Sequence, residues 1–270
     1  MIARRTVLAT GLALAAAPAF AIDPGTASGH FARDRQTVQF KHAIALSQDN
    51  AEGLLDGGPQ IRVVLSDVEI PVSAIYGLVF PPVLRQAHAD AVHGVILEFS
   101  PKDPTAMHVT VLAKPAEAGS SLTNVSLSNS SGIFKRLDVS ATRVSGDYDG
   151  GEDSDFRFSF SAPVFTDAVQ ADLKGADAQK SEQVRVLTVR AQAIQKGDLP
   201  AALALSSRGS GLRGVSPAEL KGAASMVAEM IRDIKTIRRV VVRRETAVAL
   251  LPQGSWASFV LEDGVWKVAD

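Results

Sequence analysis

The chain has 270 residues, with 28 basic and 29 acidic side chains, a hydrophobic fraction of 46% and no cysteine. The charge balance argues against a nucleic-acid partner, and the lack of cysteine excludes disulfides, thiolate metal ligands, cysteine nucleophiles and a lipid-modified cysteine anchor. The length accommodates two domains as easily as one, and the apolar content suffices for a sizeable core.

Residues 1–21 predict a cleavable secretory signal peptide. Arg4 and Arg5 supply a positive start, residues 7–18 are apolar, and Ala19-Phe20-Ala21 presents small residues at the cleavage site. The apolar stretch is shorter than the roughly 20 residues of a membrane span, and no other apolar run of the chain reaches that length. We expect cleavage after Ala21 and a mature protein without a membrane span. It would lie in the periplasm, or be secreted from a single-membrane cell.

The adjacent arginines leave the export route open. Val7 and Leu8 stand at the second and third places after Arg4-Arg5, as in twin-arginine signals, which export folded cargo. The general secretory route fits the same residues, because Val7 replaces the usual phenylalanine and the flanking serine and lysine are missing. Replacing both arginines with lysine decides between the routes, since only the twin-arginine route should then fail.

Charge and composition divide the mature chain into two predicted domains. Residues 22–171 carry a net charge of −7 and are rich in Gly, Ser, Thr and Val, whereas residues 172–270 carry +4 and open with helical patterns. We place the boundary between Thr166 and Lys180, with Lys174-Gly175-Ala176-Asp177 as the linker. The predicted domains are residues 22–171 and residues 178–270.

The first domain shows mainly strand patterns. Val38, Phe40, Ile44 and Leu46 alternate with more polar residues, which is typical of a strand with one buried face. Further strands are predicted at residues 61–65, 92–99, 107–112, 137–142 and 156–160. We expect a hairpin turn at 100–104, a pair between the last two strands, and a short helix at 83–91. These patterns favour a β-sandwich or an open barrel.

The second domain shows helices followed by strands. Val184, Leu187, Ala191 and Ile194 share a helical face that ends at Gly197. Asp198 is predicted to cap a short second helix, and Ser216 with Glu219 forms a capping box for a third. The apolar stripe of that third helix consists of Leu220, Ala223, Val227, Met230 and Ile234. A four-stranded meander is predicted over residues 239–244, 246–251, 255–261 and 265–268, which makes the whole chain α+β.

This second half resembles nuclear transport factor 2-like domains over about residues 178–270. The resemblance rests on Gln195-Lys196-Gly197-Asp198 at the end of the first helix and on the final hairpin, residues 254–268, with Asp263-Gly264 at its turn. It implies a curved antiparallel sheet wrapped around helices, with a conical pocket. Members of the family include isomerases and dehydratases as well as non-catalytic binding domains. No catalytic residue is carried over, since this half contains no histidine and no counterpart of the family's acid–base pairs.

Two groups of side chains are candidate metal ligands. Asp147, Asp149, Glu152, Asp153 and Asp155 form the densest acidic segment, which suits calcium by ligand type but fails the EF-hand register. A solvated hairpin loop is the alternative interpretation. The five histidines show no metal-binding spacing, and they fit scattered structural or surface positions as well as a site assembled by the fold; they are His30, His42, His88, His93 and His108.

Arginines and tryptophans supply the remaining candidates. Alternation places Arg239 and Arg243 on one face of a strand, and Arg238 and Arg244 on the other. The set suits either an anion or acidic-partner site, or the protection of an edge strand by charge. Both tryptophans fit a pocket wall or the core; they are Trp256 and Trp266.

The sequence contains no motif of the common hydrolases, nucleotide-binding enzymes or dinucleotide enzymes. The leading hypothesis is therefore a non-catalytic periplasmic binding or accessory protein, with no cofactor, whose partner is a small-molecule ligand or an envelope protein. The alternatives are a lyase, isomerase or hydrolase using the C-terminal pocket or the domain interface, and a structural module of an envelope assembly. A buried carboxyl or histidine with a shifted pKa, aimed into the pocket, would favour catalysis.

Overall fold

The computed structural model describes most of the chain after the predicted signal peptide, which lies outside the described residues. The described residues are 25–33, 36–54, 58–77, 81–114, 122, 124–128, 134–150, 156–222, 224–251 and 254–269. Within these ranges, no helix is both long and apolar enough to cross a membrane.

The N-terminal half forms one curled, half-barrel sheet, which we call sheet A. Its strands are β1 (Thr26–Arg33), β2 (Gln36–Gln39), β3 (His42–Gln48), β4 (Gln60–Ser66), β5 (Gly94–Ser100), β6 (Asp103–Leu112), β7 (Asn124–Ser128), β8 (Phe134–Val139), β9 (Arg143–Asp149) and β10 (Phe156–Thr166). The strand order is β7-β6-β5-β4-β3-β1-β10-β9-β8, with β2 paired to β1 and a short parallel pairing between β10 and β3. The expected open β-rich architecture is thus confirmed.

The central strands of sheet A, β3, β4 and β5, are buried on both faces. One face carries a cluster that includes Phe40, Val63 and Phe158, and the other carries Leu46, Val64 and their neighbours beneath α1 (Pro82–His88) and a 3₁₀ turn (Val72–Ile75). The predicted single strand through Val38 and Leu46 is interrupted at Phe40 and Lys41, where the chain leaves β2 before entering β3. Because of this break, Phe40 and Leu46 lie on opposite faces.

The local predictions in this half have mixed outcomes. The hairpin of β5 and β6 and the helix after Pro81 are confirmed. The expected pairing of residues 137–142 with 156–160 is wrong, because β9 lies between β8 and β10 and pairs with both. The sequence of β9, Arg-Val-Ser-Gly-Asp-Tyr-Asp, is too polar to be recognised as a strand without its neighbours.

The C-terminal half forms a second antiparallel sheet, sheet B, with helices packed against it. Its elements are β11 (Ala171–Lys174), α2 (Ala176–Gln179), α3 (Glu182–Gln195), α4 (Leu199–Ala204), a 3₁₀ turn (Gly211–Gly214), α5 (Pro217–Gly222), α6 (Ala224–Ile234), β12 (Arg239–Val242), β13 (Thr246–Leu250), β14 (Trp256–Glu262) and β15 (Val265–Ala269). The strands are ordered as in the chain. The predicted meander is confirmed, and β11 is an additional edge strand.

The chain passes from sheet A to sheet B at residues 167–170, between β10 and β11. The segment that we expected to act as a linker, Lys174 to Asp177, instead joins β11 to α2. Gly175 supports this tight connection with a positive φ of 56°.

Helix ends in this half follow the local sequence closely. Val184 N–H donates to the N-cap Ser181 Oγ, and Ala201 N–H donates to Asp198 Oδ1. The capping box is confirmed, because Ser216 N–H donates to Glu219 Oε2 at 2.7 Å and Glu219 N–H donates to Ser216 Oγ at 3.3 Å. Gly197, with a φ of 73°, follows the end of α3 as predicted.

Candidate functional site

A cavity of about 550 Å³, which we call the cone, opens between the helices and sheet B. Helices α3 and α6 form one wall through Leu187, Met226 and Met230, and strands β14 and β15 form the other through Trp256 and Val268. The helical wall is set by the stripe along α5 and α6, in which Leu220, Val227 and Ile234 are buried in the core. Met230, predicted on the same stripe, is partly exposed and lines the cone.

The wall of the cone is mainly apolar, and three of its large apolar side chains are exposed to solvent. Met226 is 67% exposed, and Met230 and Trp256 are 37% and 38% exposed. Exposed apolar groups gathered at one cavity are typical of a binding surface, whereas single exposed residues are ordinary. Trp256 therefore lines the cavity, while Trp266 packs against the core cluster of this half.

The polar groups of the cone lack an acid–base pair suited to catalysis among the described residues. Arg190 is buried, and its Nε donates to Ser206 Oγ at 2.7 Å, which in turn donates to the carbonyl of Ala202 at 2.9 Å. The carboxylates of the cone belong to Glu229, which is exposed, and to Asp233, which is partly exposed.

Two of the four arginines around β12, Arg239 and Arg243, bind the N-terminal half of the same chain. Arg243 is buried and forms a two-pronged ion pair with Glu52, with both N···O distances at 2.8 Å. It also donates to Asp49 Oδ1 at 2.6 Å and to the carbonyl of Asp167. Arg239 pairs with Asp172 at 2.8 Å and donates to the carbonyl of Ala51 at 2.6 Å.

This arrangement decides between the two interpretations of the arginines. Edge-strand protection is wrong, because β12 lies between β11 and β13 in sheet B. The predicted alternation is confirmed in that Arg239 and Arg243 point towards the acidic loop that follows β3, while Arg238 and Arg244 are exposed. Their acidic partner is intramolecular, and the opposite net charges of the two halves meet at this contact.

We call this contact the Arg243 network, and it comprises Arg243, Asp49, Glu52 and Asp167. Interactions between opposite charges strengthen it. Burial alone would lower the pKa of Arg243, but its hydrogen bonds with Glu52 and Asp49 raise that pKa. Burial of Asp49 acts to raise the pKa of its carboxyl, yet the hydrogen bond from Arg243 produces a net lowering. The guanidinium of Arg243 and the carboxylate of Asp49 thus hold each other in their charged forms.

Asp167 contributes its backbone carbonyl to the network, and its side chain is in a different state. It is buried, and burial raises the pKa of its carboxyl despite a 2.8 Å hydrogen bond from Thr246 Oγ1. Asp167 Oδ1 and Gln48 Oε1 have no hydrogen-bond partner in the described part of the protein, and both residues line a cavity of about 30 Å³. A space of this size holds about one water molecule and is too small for a substrate.

The predicted calcium segment is only partly described. Asp147 and Asp149 lie on β9, not in a loop, while Glu152, Asp153 and Asp155 lie outside the described residues. Asp149 pairs with Lys135 at 2.8 Å and with Arg157 at 3.1 Å, and Asp147 lies 3.3 Å from Arg136 Nε. These two carboxylates are thus neutralised by arginine and lysine side chains.

The histidines lie on separate elements: His30 on β1, His42 on β3, His88 at the end of α1, His93 before β5 and His108 on β6. Nowhere in the described ranges do three or more histidine, aspartate or glutamate side chains form a group that could hold a metal ion. His93 bridges two carboxylates instead, with Nδ1 3.0 Å from Asp67 Oδ2 and Nε2 3.0 Å from Asp90 Oδ1. The hydrogen bonds to Asp90 and Asp67 raise its pKa.

Sequence reasoning missed Glu52, Asp167 and Arg190, which are buried polar residues with no local motif. The signals that pointed towards the Arg243 network were the charge asymmetry between the two halves and the alternating arginines that suited an acidic partner. Comparison of the chain with protein-family models, with curated proteins and with solved structures found no match.

Proposed function

We propose that this is an exported, non-catalytic binding protein that holds a small, largely apolar molecule in the cone. The observation that carries the proposal is the convergence of Met226, Met230 and Trp256, all exposed, on one cavity. Its volume of about 550 Å³ lies within the 300–1,000 Å³ usual for small-molecule sites and favours such a ligand over a folded partner. Unbranched methionine side chains adapt to ligands of varied shape.

The proposal includes the predicted architecture and location. A signal peptide cleaved after Ala21 would deliver the protein to the periplasm. The packing of α3 and α6 on one side of an antiparallel sheet, with a cavity at the open end, supports the proposed nuclear transport factor 2-like arrangement for residues 178–270.

An enzyme working at the contact between the halves is the second candidate, because Asp167 is a buried carboxyl with a raised pKa. Such groups are often catalytic. However, its cavity of about 30 Å³ cannot admit an organic substrate, and Asp167 is not among the residues that line the cone. Binding is therefore the better-supported function.

The test uses N-phenyl-1-naphthylamine, a neutral apolar fluorophore, with the purified protein. We expect saturable binding with a Kd below about 100 µM, a change in the fluorescence of Trp256, and at least a tenfold weaker affinity in Met230→Glu, since a charge would enter the apolar wall. Val189→Glu is the matched control, because Val189 is 41% exposed on α3 but lies outside the cone. Equal affinities for the two variants, or no saturable binding, would refute the proposal.

A further inference from the structure

A second and larger cavity, of about 650 Å³, lies between the two halves of the protein, and we call it the cleft. The N-terminal half contributes Tyr76 and the exposed side of α1, including Arg85. The C-terminal half contributes the loop at Gly209, the start of β13 through Glu245, and strand β14. The size again suits a small organic molecule, and the cleft differs from the cone in carrying charged groups from both halves.

Arg85 is a cation of the cleft that has no anionic partner among the described residues. It is partly buried on α1, and no described residue forms an ion pair or a hydrogen bond with its guanidinium. The side chain crosses to the other half and lies directly on Gly209, where an added Cβ would stand 1.7 Å from Nε and 2.1 Å from Cζ. Gly209 thus makes room for the guanidinium. A partly desolvated arginine held in this way favours a carboxylate as partner.

Glu245 is an anion of the cleft that has no cationic partner in the described part of the protein. Its partly exposed carboxylate has no ion-pair or hydrogen-bond partner among the described side chains. Tyr76 lines the same cleft, and its pKa is raised first by burial and then by the negative charges of Asp167 and Glu245. Tyr76 therefore stays a neutral phenol, and its hydroxyl can donate a hydrogen bond to a ligand.

The other charged side chains that line the cleft are already paired with each other. Arg208 forms an ion pair with Asp263, and its backbone N–H donates to both carboxylate oxygens of Glu262 at 3.1 and 3.2 Å. These groups satisfy one another at the rim and need no ligand. Among the described residues that line the cleft, the charges left for recognition are one guanidinium on the N-terminal half and one carboxylate on the C-terminal half.

We propose that the cleft binds a small zwitterion, a molecule that carries both a carboxylate and an ammonium group, such as an amino acid or a short peptide. Arg85 pairs with the carboxylate, Glu245 pairs with the ammonium group, and the Tyr76 hydroxyl donates to a ligand oxygen. The apolar walls, which include Pro71 and Phe259, contact the rest of the ligand. Because the two charges belong to different halves, the ligand would also tie the halves together.

The experiment is calorimetric titration of the purified protein with the twenty protein amino acids singly and with leucyl-leucine. For the tightest of these probes we expect a Kd below about 1 mM. The N-acetylated and C-amidated forms of that probe should each bind roughly 10- to 100-fold more weakly, because a hydrogen bond to a charged group is worth about 1.5–3 kcal/mol.

Variants of the protein should reproduce the same pattern. Arg85→Met should weaken the zwitterion roughly tenfold or more and leave the affinity of the C-amidated probe unchanged. Glu245→Gln should weaken the zwitterion to a similar extent and leave the affinity of the N-acetylated probe unchanged. Gly209→Ala should resemble Arg85→Met, because the added methyl group displaces the guanidinium. The matched controls are Arg232→Met, at an exposed position on α6, and Glu182→Gln, at an exposed position on α3, and both should bind as the wild type does.

Two results would overturn the proposal. One is the absence of binding by every probe at about 10 mM, an affinity too weak for a specific site. The other is an affinity that is insensitive to both capping and the Arg85 and Glu245 substitutions. Neither result bears on the cone, whose probe is neutral and whose variant lies on α6.

Discussion

Replacing Arg243 with methionine should strongly destabilise the protein. Arg243 and its partner Glu52 have side chains only 6% and 0% exposed, and Arg243 also satisfies Asp49 and the carbonyl of Asp167. Removing one member of a buried ion pair leaves the other charge desolvated without compensation, which costs about 3–5 kcal/mol. We therefore expect Arg243→Met to lower the free energy of unfolding by about that amount.

Urea denaturation followed by circular dichroism measures this loss. With an m-value of about 3 kcal/mol/M, the midpoint should fall by about 1–1.7 M. Arg244→Met is the matched control, because Arg244 is the next residue and is exposed, and it should change the free energy of unfolding by less than about 0.5 kcal/mol. Arg239→Met, which disrupts the partly exposed pair with Asp172, should cost about 1 kcal/mol or less.

A double-mutant cycle separates the ion pair from packing. In Glu52→Gln/Arg243→Met the buried carboxylate of Glu52 is removed together with its cation, so the double variant should be more stable than the sum of the single losses predicts, by about 2 kcal/mol or more. Strict additivity, or a loss in Arg243→Met no larger than in Arg239→Met, would show that the network contributes no more than surface pairs do.

Three further predictions concern pH and packing. The pKa of Asp167 is raised in the folded protein, so the stability that its carboxyl contributes is full below its ordinary pKa and is lost as pH rises through the raised value. In urea titrations, Asp167→Asn should therefore gain stability relative to the wild type as pH rises from 4 to 7. A stability difference that stays constant over this range would contradict the assignment. The pKa of His93 is also raised, so its contacts with Asp67 and Asp90 stabilise the fold fully below its ordinary pKa of 6.5 and weaken as pH rises through the raised value. The free energy of unfolding of the wild type should therefore exceed that of His93→Gln by less and less as pH rises above 6.5. An NMR titration of His93 that gives a pKa below 6.5 would refute this prediction. Gly94→Ala places a Cβ 1.9 Å from the Leu65 carbonyl oxygen, so thermal unfolding should show a loss of about 1–3 kcal/mol, whereas Gly222→Ala, with open space around its Cβ, should cost nothing.

Short-range features of the fold could be predicted from the sequence because their partners lie within a few residues. Ser216 and Glu219 are three residues apart, and their side chains complete the capping box without help from elsewhere. The turn at Asp263 and Gly264 is similar, since both residues adopt a positive φ, which glycine accepts because it lacks a Cβ and which aspartate tolerates better than most residues. The buried face of α3 could be predicted for the same reason, because residues three and four positions apart on a helix lie on the same face.

Strands β9 and β11 could not be predicted in this way. Their sequences are short or polar, and each is a strand because a neighbour supplies its hydrogen bonds: β10 and β8 for β9, and β12 for β11. Strand pairing over long distances carries little local signal, so the tertiary fold overrides the propensity of these residues.

The candidate sites show the same difference between features set by neighbouring residues and features set by distant ones. The sequence by itself determined the α+β class, the caps and the final meander, and it determined that arginines alternate along residues 239–243. Only the tertiary structure decided what those arginines bind, because Glu52 lies 191 residues from Arg243 in the chain. It likewise brought Arg85 to Gly209 and Tyr76 to Glu245. Electrostatic and packing interactions depend on distance in space, and that distance exists only once both sheets have formed.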